Sequence, residues 1–237
     1  MKKTVTIIAF VLAAFQLYSQ DKGYVGISYG LSSPSGDFAS KDINDEKAGV
    51  AKMGYNVGLS GSYLFSKYIG VAALFRFQSN SQDEQPYKDF MNNISAPPSG
   101  ASYVVDAKTW DVFSYMAGLY VSYPLTQKLS VESKVLFGLS TTAFPETNIS
   151  VSSVSSKAEI MKFTSTNSSA FSNLLSFGVK YNLDKRFRLL ADIDYWSFKP
   201  EFTRTVIIQS STPTSDQTKS SPSLNALNFN IGLGYSF

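Results

Sequence analysis

In eight separate stretches of this chain, apolar or aromatic residues alternate with Gly, Ser, Asn or charged residues. A repeat of two belongs to a β-strand with one apolar face, whereas an amphipathic helix would repeat every 3.6 residues. The stretches run over about 24–32, 55–65, 68–78, 110–123, 129–140, 171–183, from 187 onward, and 227–237. The first sets Val25, Ile27, Tyr29 and Leu31 against Gly26, Ser28, Gly30 and Ser32. The last sets Leu227, Phe229, Ile231, Leu233, Tyr235 and Phe237 against Asn228, Asn230, Gly232, Gly234 and Ser236. The fourth is the least regular, because Met116 and Tyr120 fall on its polar side.

Each stretch is about ten residues or longer, the length a tilted strand needs to cross the hydrocarbon layer. The connections alternate in length. Ser66-Lys67, Pro124-Leu125-Thr126-Gln127-Lys128 and Asp184-Lys185-Arg186 are tight turns. The gaps 33–54, 79–109, 141–169 and 199–226 are long and polar. Short turns at one rim and long loops at the other define an eight-stranded antiparallel up-and-down transmembrane β-barrel, all-β, with both ends at the short-turn rim. The short turns are then periplasmic and the loops extracellular.

A soluble barrel such as a lipocalin would show the same alternation with its apolar face turned inward. Two features favour the membrane. The polar face is mostly Gly, Ser and Asn, with Arg76, Glu132, Lys134, Lys180, Arg188, Asp192 and Asp194 among them, a set suited to a narrow polar lumen. Aromatics also crowd the strand ends beside the short turns: Tyr63, Phe65, Tyr68, Tyr123, Tyr181 and Phe187. Rings at headgroup level form the girdle of a membrane barrel.

The N-terminus fits export. Met1-Lys2-Lys3 leads into the apolar run Val5 to Phe15 and then polar Ser19-Gln20-Asp21-Lys22, the layout of a secretory signal peptide over residues 1–20. The run is too short for a spanning helix, which needs about 20 apolar residues. Residues 21–237 then form the barrel domain. The chain has 21 basic residues; without Lys2 and Lys3 there are 19 against 18 acidic ones, so the domain is nearly neutral and nucleic acid is not an expected partner. The absence of cysteine excludes a lipid-modified cysteine, disulfides and thiolate metal sites.

The signal peptide, the eight strands and the closing Asn230-Ile231-Gly232-Leu233-Gly234-Tyr235-Ser236-Phe237 resemble the OmpA/OmpX-like outer-membrane β-barrel superfamily, of the small eight-stranded type. The resemblance covers about 24–237 and implies residence in the outer membrane of a Gram-negative bacterium. It also implies that the last strand, with Ile231, Leu233, Tyr235 and Phe237 on one face, is read by the barrel-assembly machinery. The periplasmic peptidoglycan-binding domain of OmpA-type proteins has no counterpart in the sequence, which puts cell-wall tethering in doubt.

The chain has no histidine, so Ser/His/Asp triads, His/Cys pairs and histidine-ligated metals are excluded. Enzymatic outer-membrane barrels such as omptin proteases and the outer-membrane phospholipase rely on a catalytic histidine, and no such motif is matched. Asp192 and Asp194 lie on one strand face about 7 Å apart by strand rise, so a paired-carboxylate site is conceivable. An ion-pair network of Arg76, Glu132, Lys134, Lys180, Arg188, Asp192 and Asp194 is the simpler reading, because a buried charge must be paired. No enzyme activity and no cofactor are expected.

An eight-stranded barrel is just wide enough for side chains to fill. Arg76, Gln78, Leu74, Leu136, Met116 and Tyr120 are the expected filling. The expected function is structural and surface-interactive, with a small or gated channel as the alternative. Expected partners are membrane lipid and lipopolysaccharide, with a surface protein or host ligand at the loops, and the barrel is expected to be a monomer.

Within the loops, Asp42-Ile43-Asn44-Asp45-Glu46 lacks the glycine of an EF-hand and reads as a solvated acidic turn. Tyr87, Phe90, Met91 and Ile94 have helical spacing and end at Pro97-Pro98. Residues 149–154, 159–163 and 202–209 still read as strand, so strands five to eight are expected to project beyond the membrane as a ragged sheet. Its edge is open either to a partner strand or to bracing the loops, with bracing favoured.

Overall fold

The computed structural model describes residues 22–153, 157–209 and 214–237. The signal peptide expected over residues 1–20 lies outside them. The eight alternating stretches become β1 (Gly23–Ser35), β2 (Ala51–Leu64), β3 (Ile69–Gln82), β5 (Trp110–Pro124), β6 (Leu129–Ala143), β9 (Asn167–Asn182), β10 (Phe187–Phe198) and β13 (Leu224–Ser236). They close in the order β1-β13-β10-β9-β6-β5-β3-β2, every neighbour antiparallel. Closure through β1 and β13 pairs Tyr24 with Ser236 and Ser35 with Asn225, so no barrel edge is left unpaired.

The alternation sorts the two faces. Val25, Ile27, Tyr29 and Leu31 of β1 are exposed on the outside, and Ile231 of β13 is 70% exposed. Outward apolar groups of this kind carry no penalty when the surrounding solvent is hydrocarbon. The inward positions hold Ser, Asn, Gln and charge, interleaved with Leu74, Met116, Leu136, Leu174 and Leu190. On the inner wall of β5 and β6, Gly138 lies opposite Met116 and Gly118 opposite Leu136. A Cβ at either glycine would collide with the facing backbone carbonyl, of Tyr115 or Val135. Small against large is how the narrow interior is packed.

Strands extend several residues past the alternating stretches, and the loops are more ordered than a set of extended strand tips. Five short strands, β4 (Ser102–Ala107), β7 (Thr147–Ser152), β8 (Lys157–Ser165), β11 (Phe202–Ile208) and β12 (Thr214–Ser220), pair in the order β12-β11-β8-β7-β4. This sheet is separate from the barrel and replaces the expected prolongation of strands five to eight. The loop strands run antiparallel to one another across three different loops, so the sheet bridges loops that the barrel strands hold side by side. The helical spacing in the second loop becomes α1 (Gln85–Ile94), with Pro86 in its first turn and Tyr87 and Met91 buried. They pack with Val50, Val105 and Ile149 into a small core between α1, the first loop and the sheet.

Candidate functional site: the lumen and its extracellular cap

Charged and polar side chains meet inside the barrel in two clusters. Nearer the short turns, Lys180 of β9 lies 2.8 Å from Glu132 of β6. Tyr120 donates a hydrogen bond to the same carboxylate, and Tyr24 donates to its other oxygen at 3.4 Å. Lys180 also donates to Tyr120 at 3.2 Å and to Ser122 at 3.3 Å. The Arg188 guanidinium lies 6.0 Å over the Tyr24 ring. Higher up, Arg76 of β3 grips Asp194 of β10 bidentately at 2.8 and 2.6 Å. β3 and β10 are four strand steps apart in either direction around the ring, so this pair crosses the whole lumen. Asn228 and Asn230 donate to Asp194 at 2.9 and 2.7 Å, completing four bonds to one carboxylate.

Lys134 and Asp192 sit at the margin of both clusters. They line a lumen chamber of about 20 Å³, room for roughly one water. Asp192 accepts bonds from Ser176 and Asn230, both at 3.3 Å. The seven charged residues picked out in the sequence all lie on the lumen side of their strands. They divide into a Lys180–Glu132 group and an Arg76–Asp194 group, with Asp192 and Lys134 between.

Above the charges, aromatic rings gather at the extracellular mouth. Trp110, Phe38, Phe144, Trp196, Phe198 and Phe202 are 0–3% exposed. Trp110 packs against Phe144 at 4.7 Å and Phe38 at 5.7 Å between centroids, and its indole N–H donates to the Gly49 carbonyl at 2.8 Å. This plug was missed in the sequence. Trp196 and Phe198 do lie on the inward register of β10 with Asp194, so alternation alone marks them as inward. Phe38 and Phe144 come from segments where no period identifies them, and Phe202 opens β11, which the sequence marks as strand but not as part of a plug.

The cap sheet is joined to the plug by Arg204 of β11. Its guanidinium stacks 4.1 Å over Phe144 and 5.3 Å from Phe163. Burial lowers its affinity for the proton, and nearby Tyr87 opposes that shift. A second anchor is Asp83, just beyond β3, which lies 3.0 Å from both Lys41 and Lys52. Burial pushes its carboxyl up, but the two ammonium groups and the Gln85 N–H outweigh that and hold it below the ordinary carboxylate range. Val50 next to it is left-handed at φ 50, unusual for a β-branched residue. Its N–H donates to Ser40 at 3.1 Å and its carbonyl accepts from Asp83 at 2.8 Å, which holds the turn in place.

At the opposite end, Tyr63, Phe65, Tyr123, Tyr181 and Phe187 are exposed outward and Tyr68 is half-buried. Tyr68 and Tyr123 lie 5.3 Å apart, and Phe187 and Tyr235 5.7 Å. Ile231, Leu233 and Tyr235 line the outer face of β13. The Phe237 N–H donates to the Gly23 carbonyl at 3.2 Å at the barrel seam. Among the described residues no group of three or more acidic side chains is placed to hold a metal ion.

A closed ring of eight antiparallel strands, apolar outside and polar within, with short turns at one end and a loop-built cap at the other, defines a small outer-membrane barrel. The chain belongs to the outer membrane protein β-barrel domain family, whose model matches residues 4–237. No curated protein matches it. Among solved structures it is similar to a major outer membrane protein of Thermus thermophilus, at 11% identity and a TM-score of 0.52, over 91% of this chain and 99% of that one. It is also similar to the outer membrane protein OprG of Pseudomonas aeruginosa, at 11% identity and a TM-score of 0.49, over 92% and 97%. The attachment invasion locus protein Ail of Yersinia pestis aligns at 16% identity and a TM-score of 0.45, over 92% and 100%. At these identities the likeness concerns the fold.

Proposed function

We propose that this barrel acts by holding and displaying its extracellular cap in the Gram-negative outer membrane, as a structural and surface-contact protein with a filled lumen and no catalytic step. The observation that carries this reading is the stacking of three closures in one narrow barrel: the Lys180–Glu132 cluster, the Arg76–Asp194 bridge and the ring of aromatics around Trp110. Buried charges matched with partners inside a side-chain-filled interior support a scaffold over a conduit. Asp192 and Asp194 are engaged by amide and hydroxyl donors, a use that leaves them no evident role as an acid and base pair.

Within this reading residues 1–20 direct export and are removed, leaving residues 21–237 as a monomeric barrel domain. The β13 face of Ile231, Leu233, Tyr235 and Phe237 serves recognition by the assembly machinery. Tyr63, Phe65, Tyr68, Tyr123, Tyr181 and Phe187 sit at the headgroups. Lipopolysaccharide surrounds the cap, and a surface protein or host ligand meets it. Excising residues 146–164 removes β7 and β8 up to Thr164, the centre of the cap sheet. Cells expressing that deletion should assemble a heat-modifiable barrel and lose adhesion to host-cell or matrix-coated surfaces conferred by the full chain. Adhesion undiminished by the deletion would sink the surface-contact part of the proposal.

A further inference from the structure

The periplasmic rim is strongly basic. Lys22, Lys67, Lys128, Lys185 and Arg186 stand at the short turns and at the approach to β1, against one side-chain carboxylate among the described residues, Asp184. Asp184 is already engaged, accepting the Arg186 and Phe187 N–H groups at 2.6 and 2.7 Å to shape its turn. None of these cations appears in the ion pairs of the described residues. The Lys67 ammonium lies 5.0 Å over the Tyr68 ring, which keeps it at the aromatic belt.

The lipid-facing wall above these turns is not smooth. One groove of about 570 Å³ has Gly61, Ala73 and Ala117 in its lining, residues paired directly across β2, β3 and β5. It reaches down to Tyr63, two residues from the turn that carries Lys67. A second, of about 750 Å³, has Ala191 and Gly232 in its lining and reaches Tyr181 and Leu189, beside the turn with Lys185 and Arg186. Each groove therefore has a cationic turn beneath its periplasmic end. Both volumes fall in the range of small-molecule sites, about 300–1,000 Å³.

We infer that the periplasmic half of the barrel is a docking surface for anionic phospholipid of the inner leaflet. An acyl chain lies in each groove, and the headgroup phosphate meets the basic turn below it. Charge complementarity selects the occupant: a zwitterionic lipid fills the groove equally well but gains less from the cations. Lipopolysaccharide, the other anionic lipid, belongs to the leaflet at the opposite rim.

The test uses the full-length folded protein in nanodiscs of mixed phosphatidylcholine and phosphatidylglycerol, with retained lipids identified by native mass spectrometry. Wild type should retain phosphatidylglycerol in preference to phosphatidylcholine. A basic residue near an anionic surface changes affinity about fivefold, so Lys67→Gln should cut the preference by about that factor. Lys185→Gln with Arg186→Gln should cut it further. Ala73→Leu, which fills the first groove, should lower retention of both lipids. Lys162→Gln, in the cap, should change neither quantity. Gel mobility before and after heating shows that each variant is folded. Equal retention of the two lipids by wild type would overturn the inference, as would a preference untouched by the rim substitutions or one lost with Lys162→Gln.

Discussion

Asp192 and Asp194 project from the same face of β10 and are chemically identical, yet the barrel uses them differently. Asp194 is fully buried and accepts four short bonds, two from Arg76 and two from asparagine amides. Asp192 is half-buried and accepts two bonds of 3.3 Å. Removing one partner of a buried ion pair strands the other, at a cost of about 3–5 kcal/mol. Asp194→Ala should therefore destabilise the barrel by about that amount, and Asp192→Ala by about 1 kcal/mol, the worth of an ordinary hydrogen bond. Urea unfolding from lipid vesicles, followed by gel mobility, measures both. Equal losses would mean that the cross-lumen pair is not the stronger fastening.

Asp83 gives the first two loops a dependence on pH. Its folded carboxyl titrates below the unfolded value of about 3.9. The stabilisation from Lys41 and Lys52 is thus complete above that value and is lost as pH falls through the lower, folded one. The Asp83 amide, bonded to Val50, should lose hydrogen-exchange protection over that acid range. Asp83→Asn should make its protection independent of pH there. An Asp83→Asn protein that still loses protection in acid would assign the effect to another group.

At the scale of elements, the barrel strands were legible because alternation, strand length and three short turns all point to one arrangement. A slip of one residue would turn every apolar side chain into the lumen, so register follows from the pattern. The division into two charge clusters was not legible. Arg76 and Asp194 belong to strands on opposite sides of the ring, and only closure of the barrel brings them together. The cap was half legible. Residues 202–209 carry Val206, Ile207 and Ile208 and read as strand. β12 is Thr-Ser-Asp-Gln-Thr-Lys-Ser, with nothing apolar to betray it, and is a strand because β11 pairs with it.

Arg204 of β11 fastens the cap to the plug through its stack on Phe144, beside Phe202 of the same strand, which packs on Trp110 and Phe144. A desolvated cation–π contact is worth about 2 kcal/mol. Arg204→Leu should loosen the sheet by about that much while leaving the barrel folded. The readout is faster tryptic cleavage at Lys157 or Lys162 with unchanged heat modifiability. A cleavage rate equal to wild type would show that the sheet holds without the stack.

For the whole molecule, a wall of eight strands leaves so little room that the choice of lumen side chains decides between scaffold and channel. Leucine, methionine and tyrosine interleaved with paired charges, with six aromatic rings above them, support the proposed scaffold. The most direct measurement is a planar-bilayer recording of the folded, purified protein. A filled lumen should give no large, stable conductance, both in wild type and after excision of residues 146–164, because the lumen clusters lie below the cap. A large and stable open state in the wild-type protein would contradict it.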